Sequence, residues 1–190
     1  MASMSSPRPP APDDPATRAL ADAVAEAERH VARAGWDGPV RLFALVPTAA
    51  AIEAEPGLRA MLTADVVAAA EGNAHHLTSI EQEDLPPADD LETLLASLAW
   101  PGTVAGAAVV VERVVLPPQA EQEMPADPAE ALDYLMAHPE RQDVRLAVGV
   151  LRSGPAWCAV RTRANDADDA VGHGPDLVPG LVAARAATLA

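Results

Sequence analysis

Four arginines lie in the later predicted β-strands of a chain that has few cations. They are Arg113, Arg145, Arg161 and Arg163. Arg161 and Arg163 are two residues apart, so they lie on the same face of a strand. A guanidinium can hold a carboxylate or a phosphate through two parallel hydrogen bonds, which makes Arg113, Arg161 and Arg163 candidates for an anion-binding site. The alternative, which we favour, is pairing with acidic residues of the same chain.

Thr48 is a further candidate for an anion site. It follows the apolar segment 40–46 and begins a predicted helical region, so backbone N–H groups there could face an anion. Open α/β sheets place ligands at the carboxyl ends of their strands, which here lie near 46–48 and 116–117. A pocket that contains Arg113 or Thr48 would favour ligand binding, whereas a flat apolar patch at a symmetric contact would favour an interaction module.

Other polar residues give weaker indications of catalysis or metal binding. His75 and His76 precede Glu81 and Glu83, but neighbouring side chains of a strand point to opposite faces and cannot readily share one ion. Cys158 lies in an apolar segment, where an inert, buried thiol is expected. The sequence contains no nucleophile elbow, phosphate loop or paired-cysteine motif. We therefore predict no catalytic residues, no metal and no cofactor.

Composition restricts the class of protein and its partners. The chain has 190 residues, of which 49% are hydrophobic, and a formal net charge of −15. This acidic charge opposes binding to nucleic acids and to anionic membrane surfaces. The N-terminus resembles no signal peptide, and no apolar run approaches the length that spans a membrane. We expect a cytoplasmic protein whose partners are an unknown protein or a second copy of the chain.

Two segments of different character are predicted along the chain. Residues 1–12 are rich in Ser and Pro, which predicts a disordered tail. Residues 13–190 are predicted to form a single α/β domain. The pairs Asp14-Pro15 and Asp127-Pro128 each combine a helix N-cap with a proline in the first turn, and both predict the start of a helix.

Strands and helices alternate within this domain. Predicted strands cover 40–46, 104–116, 144–151 and 157–163, with a weaker candidate at 75–83. Helices are predicted between them and at 181–189. Strands separated by helices favour crossover connections, and hence a mixed, partly parallel central sheet that is flanked by helices. The last two predicted strands flank Ser153-Gly154-Pro155 and form a C-terminal hairpin. If 75–83 is not a strand, the fold shifts toward α+β.

Several segments together resemble a known family over roughly residue 35 to the end. They are 39–46, 76–78 with 81–86, Trp100-Pro101, 110–113 with 116–118, and 174–181. With these segments the chain resembles an actinobacteria-specific protein family of unknown function. The resemblance implies a cytoplasmic protein of housekeeping type and supplies no catalytic residues.

Two classes of function are compatible with the sequence. The first, which we favour, is a non-enzymatic interaction module that could form a homodimer. It rests on the missing catalytic motifs and on the substantial apolar content. The second is a protein or enzyme that binds an anionic small molecule at the carboxyl ends of the strands.

Overall fold

The computed structural model describes residues 13–83, 85–86, 90–175 and 177. The described helices are α1 (Pro15–Ala32), α2 (Thr48–Ala54), α3 (Leu58–Met61), α4 (Ala64–Gly72), α5 (Leu91–Ala96), α6 (Pro118–Gln122) and α7 (Pro128–Ala137). The described strands are β1 (Arg41–Pro47), β2 (Leu77–Glu81), β3 (Gly106–Val115), β4 (Gln142–Leu151), β5 (Ala156–Thr162) and β6 (Gly172–Gly174). These six strands form one sheet with the order β2-β1-β3-β4-β5-β6.

Two predictions fall on parts of the chain that are not described. The disordered tail at 1–12 and the helix at 181–189 lie outside the described residues. The single domain at 13–190 stays a prediction for the same reason.

The predicted mixed, partly parallel sheet of an α/β domain is wrong, because every neighbouring pair of strands is antiparallel. Helices between strands do not by themselves require a crossover. After β1 the chain forms α2, α3 and α4 and returns to the same end of the sheet, where Pro47 faces Leu77. The segment that contains α6 and α7 likewise joins Val115 to Gln142, which face each other across β3 and β4.

A sheet with antiparallel pairs and helices on its faces and ends has α+β architecture. From the sequence, an α+β fold was expected only if residues 75–83 did not form a strand. That segment does contain a strand, β2. The change of class therefore comes from the direction of pairing. The predicted C-terminal hairpin is present: β4 and β5 pair across a turn in which Gly154 has a φ of +113°.

Helix α1 covers one face of the sheet. The helix begins as predicted, because the side chain of Asp14 accepts a hydrogen bond of 2.8 Å from the N–H of Thr17 and Pro15 lies in the first turn. Its apolar stripe packs on inward-facing residues of β1, β3, β4 and β5. The buried members of this core include Leu20, Val24, Val31, Phe43, Leu45, Ala108, Val110, Ala147, Trp157 and Ala159.

The opposite face of the sheet carries a second core. Strands β2 and β3 both pair with β1, which lies between them, so the connection from β2 to β3 must pass from one end of the sheet to the other. Helix α5 lies in that connection. Leu91 and Leu94 of α5 are buried against side chains of the sheet, among them Leu42, Val109, Val148 and Cys158.

Candidate functional site

One carboxylate and two guanidiniums are buried between α1 and the sheet. The exposed fractions are 1% for Glu28, 0% for Arg145 and 2% for Arg161. The Nε and Nη2 groups of Arg161 donate hydrogen bonds of 2.7 and 2.8 Å to the two carboxylate oxygens of Glu28. Nη1 of Arg145 lies 3.7 Å from Oε1 of Glu28. Because the two arginines face each other across β4 and β5, Glu28 offsets a pair of cations that burial would otherwise make costly.

Arg161 also reaches two carboxylates near the surface. Its Nη1 donates to Asp166 at 3.2 Å, and its Nη2 donates to Asp168 at 2.7 Å. These hydrogen bonds, with that to Glu28 the largest contribution, raise the pKa of Arg161 above its ordinary value. The predicted pairing of Arg161 with acidic residues of the chain is confirmed. The guanidinium is buried rather than at the surface.

Arg145 extends the network toward the α1–β1 loop. Its Nη2 donates to Oε1 of Glu112 at 2.8 Å and also to the backbone carbonyl of Gly35. The guanidinium lies over the indole of Trp36, with the central carbon 4.4 Å from the ring centroid. The indole N–H in turn donates to Asp166 at 2.9 Å, and this hydrogen bond is the main cause of the lowered pKa of Asp166.

Arg163 completes the network at the surface. Its two terminal nitrogens donate to the two oxygens of Asp37 at 2.9 and 2.6 Å, and Nη1 lies 3.6 Å from Asp143. The guanidinium holds the pKa of Asp37 below its usual range. The backbone N–H of Asp37 donates to Glu112 at 2.7 Å, which fixes the loop against β3. The predicted pairing of Arg163 with acidic residues of the chain is confirmed.

A surface cleft of about 320 Å³ lies beside this network. It is lined by three arginines and three carboxylates, together with apolar surface from two larger side chains and a valine. The lining residues are Trp36, Asp37, Glu112, Arg113, Val114, Met136, Arg141, Asp143 and Arg163. Two of the candidate arginines, Arg113 and Arg163, therefore lie in one cleft, whereas Arg161 lies in the network behind it.

The charged groups of the cleft fall into two classes. All three carboxylates have arginine partners, because Arg163 contacts Asp37 and Asp143 and Arg145 contacts Glu112. The guanidiniums of Arg113 and Arg141, in contrast, contact neutral groups. Nη1 of Arg113 donates to the carbonyl oxygen of Glu112 at 3.1 Å, and Nη1 of Arg141 contacts the sulfur of Met136 at 3.3 Å. Within the described part of the chain, the structure shows no ion pair for either guanidinium.

Thr48 is not brought together with the arginines. It follows β1 at the end of the sheet opposite the cleft, and it is buried. Its hydroxyl oxygen lies 2.8 Å from Nδ1 of His76 and 2.7 Å from the hydroxyl oxygen of Thr78. Its backbone N–H donates to the carbonyl oxygen of His76. These contacts hold the start of α2 against β2, so Thr48 is placed for a structural role.

The remaining polar candidates are separate from the cleft. Glu81 accepts a hydrogen bond from Arg41, which is the main cause of its lowered pKa, and it lies 3.2 Å from Nε2 of His30. A carboxyl group held ionised in this way is poorly suited to general acid catalysis. Cys158 is fully buried, as the apolar segment around it predicts. Over the described ranges, no group of three or more His, Cys, Asp or Glu residues is placed to hold a metal ion.

Glu28 is the most important residue that the sequence did not single out. It lies four residues after Val24 and three before Val31, so a carboxylate stands on the apolar stripe of α1. A charged residue at such a position indicates a buried ion pair. The sequence also did not point to Trp36 or Arg141, which come from loops whose positions depend on the completed sheet.

Comparison with known proteins assigns the chain to a family but to no activity. A family model with the description PPA1309-like protein matches residues 20–190, and the function of that family is not established. Searches of curated proteins and of solved structures each found no match. The resemblance is thus supported at the level of an uncharacterised family, while its restriction to actinobacteria stays a prediction. None of the helices in the described residues has an apolar stretch long enough to cross a membrane.

Proposed function

We propose that this chain, which belongs to the PPA1309-like protein family, binds a small anionic molecule in the cleft beside Trp36. The observation that carries the proposal is the unequal pairing of the charges that line the cleft. Its carboxylates are held by arginines, whereas the guanidiniums of Arg113 and Arg141 contact a neutral carbonyl oxygen and a neutral sulfur. Guanidiniums in this state can bind a carboxylate or a phosphate with charge-assisted hydrogen bonds.

The dimensions and lining of the cleft favour a compact ligand. A volume of about 320 Å³ is at the lower end of the range for small-molecule sites. The indole of Trp36 and the thioether of Met136 supply apolar surface beside the arginines. We therefore propose a metabolite that carries a phosphate or a carboxylate on a small apolar or planar body.

Binding without catalysis is the proposed activity. Asp37 and Asp143 are the acids nearest to Arg163, and a carboxylate must accept a proton readily to act as a general base. The hydrogen bonds from Arg163 instead lower the pKa of Asp37 and so weaken it as a base. The cytoplasmic location and the actinobacterial source remain parts of this proposal.

The interaction module is the second candidate function. Its supporting observation is a set of large apolar side chains that are exposed on the described surface, of which Leu132 and Met136 share one helix. Self-association as a homodimer would be one form of this function. The two candidate surfaces meet at Met136, which lines the cleft and is also one of these exposed apolar side chains.

The test of the anion proposal is a binding experiment on matched variants. Arg113→Gln with Arg141→Gln removes both guanidiniums from the cleft. Arg29→Gln with Arg59→Gln removes the same charge from exposed positions outside it. Thermal melts with inorganic phosphate, citrate and a nucleoside monophosphate should reveal a compound that stabilises the parent and the control pair. A ligand at a hundred times its Kd contributes about 2.7 kcal/mol to the free energy of unfolding.

The result for Arg113→Gln with Arg141→Gln tests whether the anion binds in the cleft. We expect the stabilisation by that compound to be lost in Arg113→Gln with Arg141→Gln and retained in the control pair. Equal stabilisation of all three proteins would place the anion elsewhere and contradict the proposal. Failure of every compound to stabilise the parent would contradict it as well.

A further inference from the structure

Asp37 occupies one arginine of the cleft with its own carboxylate. The terminal nitrogens of Arg163 donate to both oxygens of Asp37 at 2.9 and 2.6 Å, and both residues line the cleft. A guanidinium holds the carboxylate or phosphate of a ligand through two parallel hydrogen bonds of the same kind. The carboxylate of Asp37 therefore stands where an anionic group of a bound molecule would contact Arg163.

The exposure of this pair makes its carboxylate exchangeable. Two arginines hold carboxylates of the cleft. Arg145, which holds Glu112, is fully buried, whereas the side chains of Arg163 and Asp37 are 41% and 74% exposed. Loss of a partner from a buried arginine would leave its charge uncompensated in a medium of low dielectric. An exposed pair contributes little to stability, and water can solvate the released carboxylate. Arg163 can thus change its partner at little cost.

The backbone around Asp37 is held by contacts that do not involve its side chain. Asp37 has a φ of +67°, the one positive φ of a non-glycine residue in the described ranges. A residue in this left-handed region persists where the surrounding structure fixes it. Here the backbone N–H of Asp37 donates to Glu112 at 2.7 Å, and the carbonyl oxygen of Gly35 accepts from Arg145. Rotation of the Asp37 side chain would release Arg163 and leave both contacts in place.

We propose that Asp37 is a built-in competitor of the ligand, and that the ligand carries two or more anionic groups. This inference rests on the proposed anion site. One anionic group would bind Arg113 and Arg141, whose guanidiniums contact neutral atoms. A second anionic group would displace the carboxylate of Asp37 from Arg163. A molecule with a single anionic group would leave the pair of Asp37 and Arg163 intact.

This competition selects among anions. The apparent affinity of a ligand falls by the fraction of protein in which its binding partner is free, so Asp37 weakens any contact of a ligand with Arg163. A replacing group must offer two oxygens to the terminal nitrogens of that arginine, as a carboxylate or a phosphate does. Specificity is a difference of affinities. The cleft should therefore prefer compact molecules with several carboxylates or phosphates over molecules with one.

Isothermal titration calorimetry on the full chain measures the competition. The probes are citrate, which carries several carboxylates, and inorganic phosphate, which is a single anionic group. Asp37→Asn is the test variant, because asparagine has almost the same shape and also tolerates a positive φ, but carries no charge. Removal of an exposed competing ion pair should lower the Kd of citrate about fivefold. The Kd of phosphate should change less than about twofold, since only screened, longer-range charge effects act on it.

Asp143→Asn is the matched control within the same cleft. The carboxylate of Asp143 also lines the cleft, but it lies 3.6 Å from Nη1 of Arg163, beyond the length of a hydrogen bond. The control removes the same charge and should lower the Kd of citrate less than about twofold. An equal gain in both variants would show that reduced negative charge, and not release of Arg163, tightens binding. That result, or a citrate Kd that Asp37→Asn leaves unchanged or raises, would overturn the inference.

A crystal structure of the parent protein with citrate tests the exchange without any variant. We expect a citrate carboxylate on both terminal nitrogens of Arg163 and the side chain of Asp37 turned toward solvent. Citrate in the cleft with both hydrogen bonds between Asp37 and Arg163 intact would contradict the competition.

The variant Arg113→Gln with Arg141→Gln separates failure of this inference from failure of the anion site. If that variant loses binding of phosphate or of the nucleoside monophosphate, while citrate does not displace Asp37 in the parent, the anion site stands and the competition is refuted. If none of these compounds binds the parent, both proposals are refuted.

Discussion

Replacement of Glu28 by glutamine tests whether the buried network stabilises the fold. The carboxylate of Glu28 accepts two hydrogen bonds from Arg161 and lies 3.7 Å from Arg145. Glutamine has almost the same shape and keeps one oxygen as an acceptor. However, it presents an N–H₂ group toward a guanidinium and removes the negative charge that offsets two buried cations.

The size of the effect follows from the contacts that remain. Loss of one partner of a buried ion pair costs about 3–5 kcal/mol, because the other charge stays in a medium of low dielectric. Arg161 would keep Asp166 and Asp168, both of which are near the surface. We therefore expect a loss toward the lower limit, about 3 kcal/mol of unfolding free energy. For a chain of this size that corresponds to a fall of about 6–12 °C in Tm.

Urea unfolding and thermal melts of matched variants would measure this loss. Glu26→Gln makes the same change on an exposed side of α1 and should cost less than about 0.5 kcal/mol. Asp168→Asn removes an exposed partner of Arg161 and should cost less than about 1 kcal/mol. If Glu28→Gln cost no more than these two changes, the guanidiniums would have found water or new partners, and the reasoning about burial would be refuted.

Two further predictions concern the packing of α1 and the pH dependence of stability. Gly149→Ala should cost about 1–3 kcal/mol of unfolding free energy in urea, because its Cβ would lie 2.9 Å from Cδ1 of Leu20. Gly38→Ala, where a Cβ meets no atom within 4 Å, is the control and should cost much less. Arg41 lowers the pKa of Glu81 in the folded state below the ordinary 4.5, so the stability that this carboxylate contributes is present above pH 4.5 and is lost as the pH falls through its folded pKa. The difference in unfolding free energy between the parent and Glu81→Gln should therefore shrink below pH 4.5, and a difference that stayed constant with pH would contradict this assignment.

The positions of helices and strands follow closely from local signals in the sequence. Asp14 and Asp127 each precede a proline, and both act as N-caps that accept backbone hydrogen bonds. The apolar run 104–116 contains β3, and the Gly154 turn joins β4 to β5. These features depend on the types of a few adjacent residues, so they can be identified directly in the sequence.

The direction of the strands could not be derived in the same way. A helix between two strands is compatible with a crossover or with a return to the same end of the sheet, and the helix itself does not distinguish them. Here the contact between the N–H of Thr48 and the carbonyl of His76 closes the connection from β1 to β2 at one end. Such contacts join residues far apart in the chain, so they become visible only in the folded structure.

The candidate site was predictable in part. Strand spacing placed Arg161 and Arg163 on one face, and the surplus of acids predicted that they pair within the chain. The main partner of Arg161 could not be predicted, because Glu28 is 133 residues away in the sequence. The burial of Arg161 was also not foreseen, because a long basic side chain is usually exposed.

The buried network and the cleft are connected by the charge of the chain. An acidic protein that binds an anion must first neutralise the carboxylates around its own site, since these would repel the ligand. Here Arg163 neutralises Asp37, and Arg145, buried against Trp36, reaches Glu112 from behind the cleft. Glu28 offsets the cost of burying that arginine beside Arg161. Arg113 and Arg141 are thereby left with neutral contacts, which is the arrangement that the proposed anionic ligand would need.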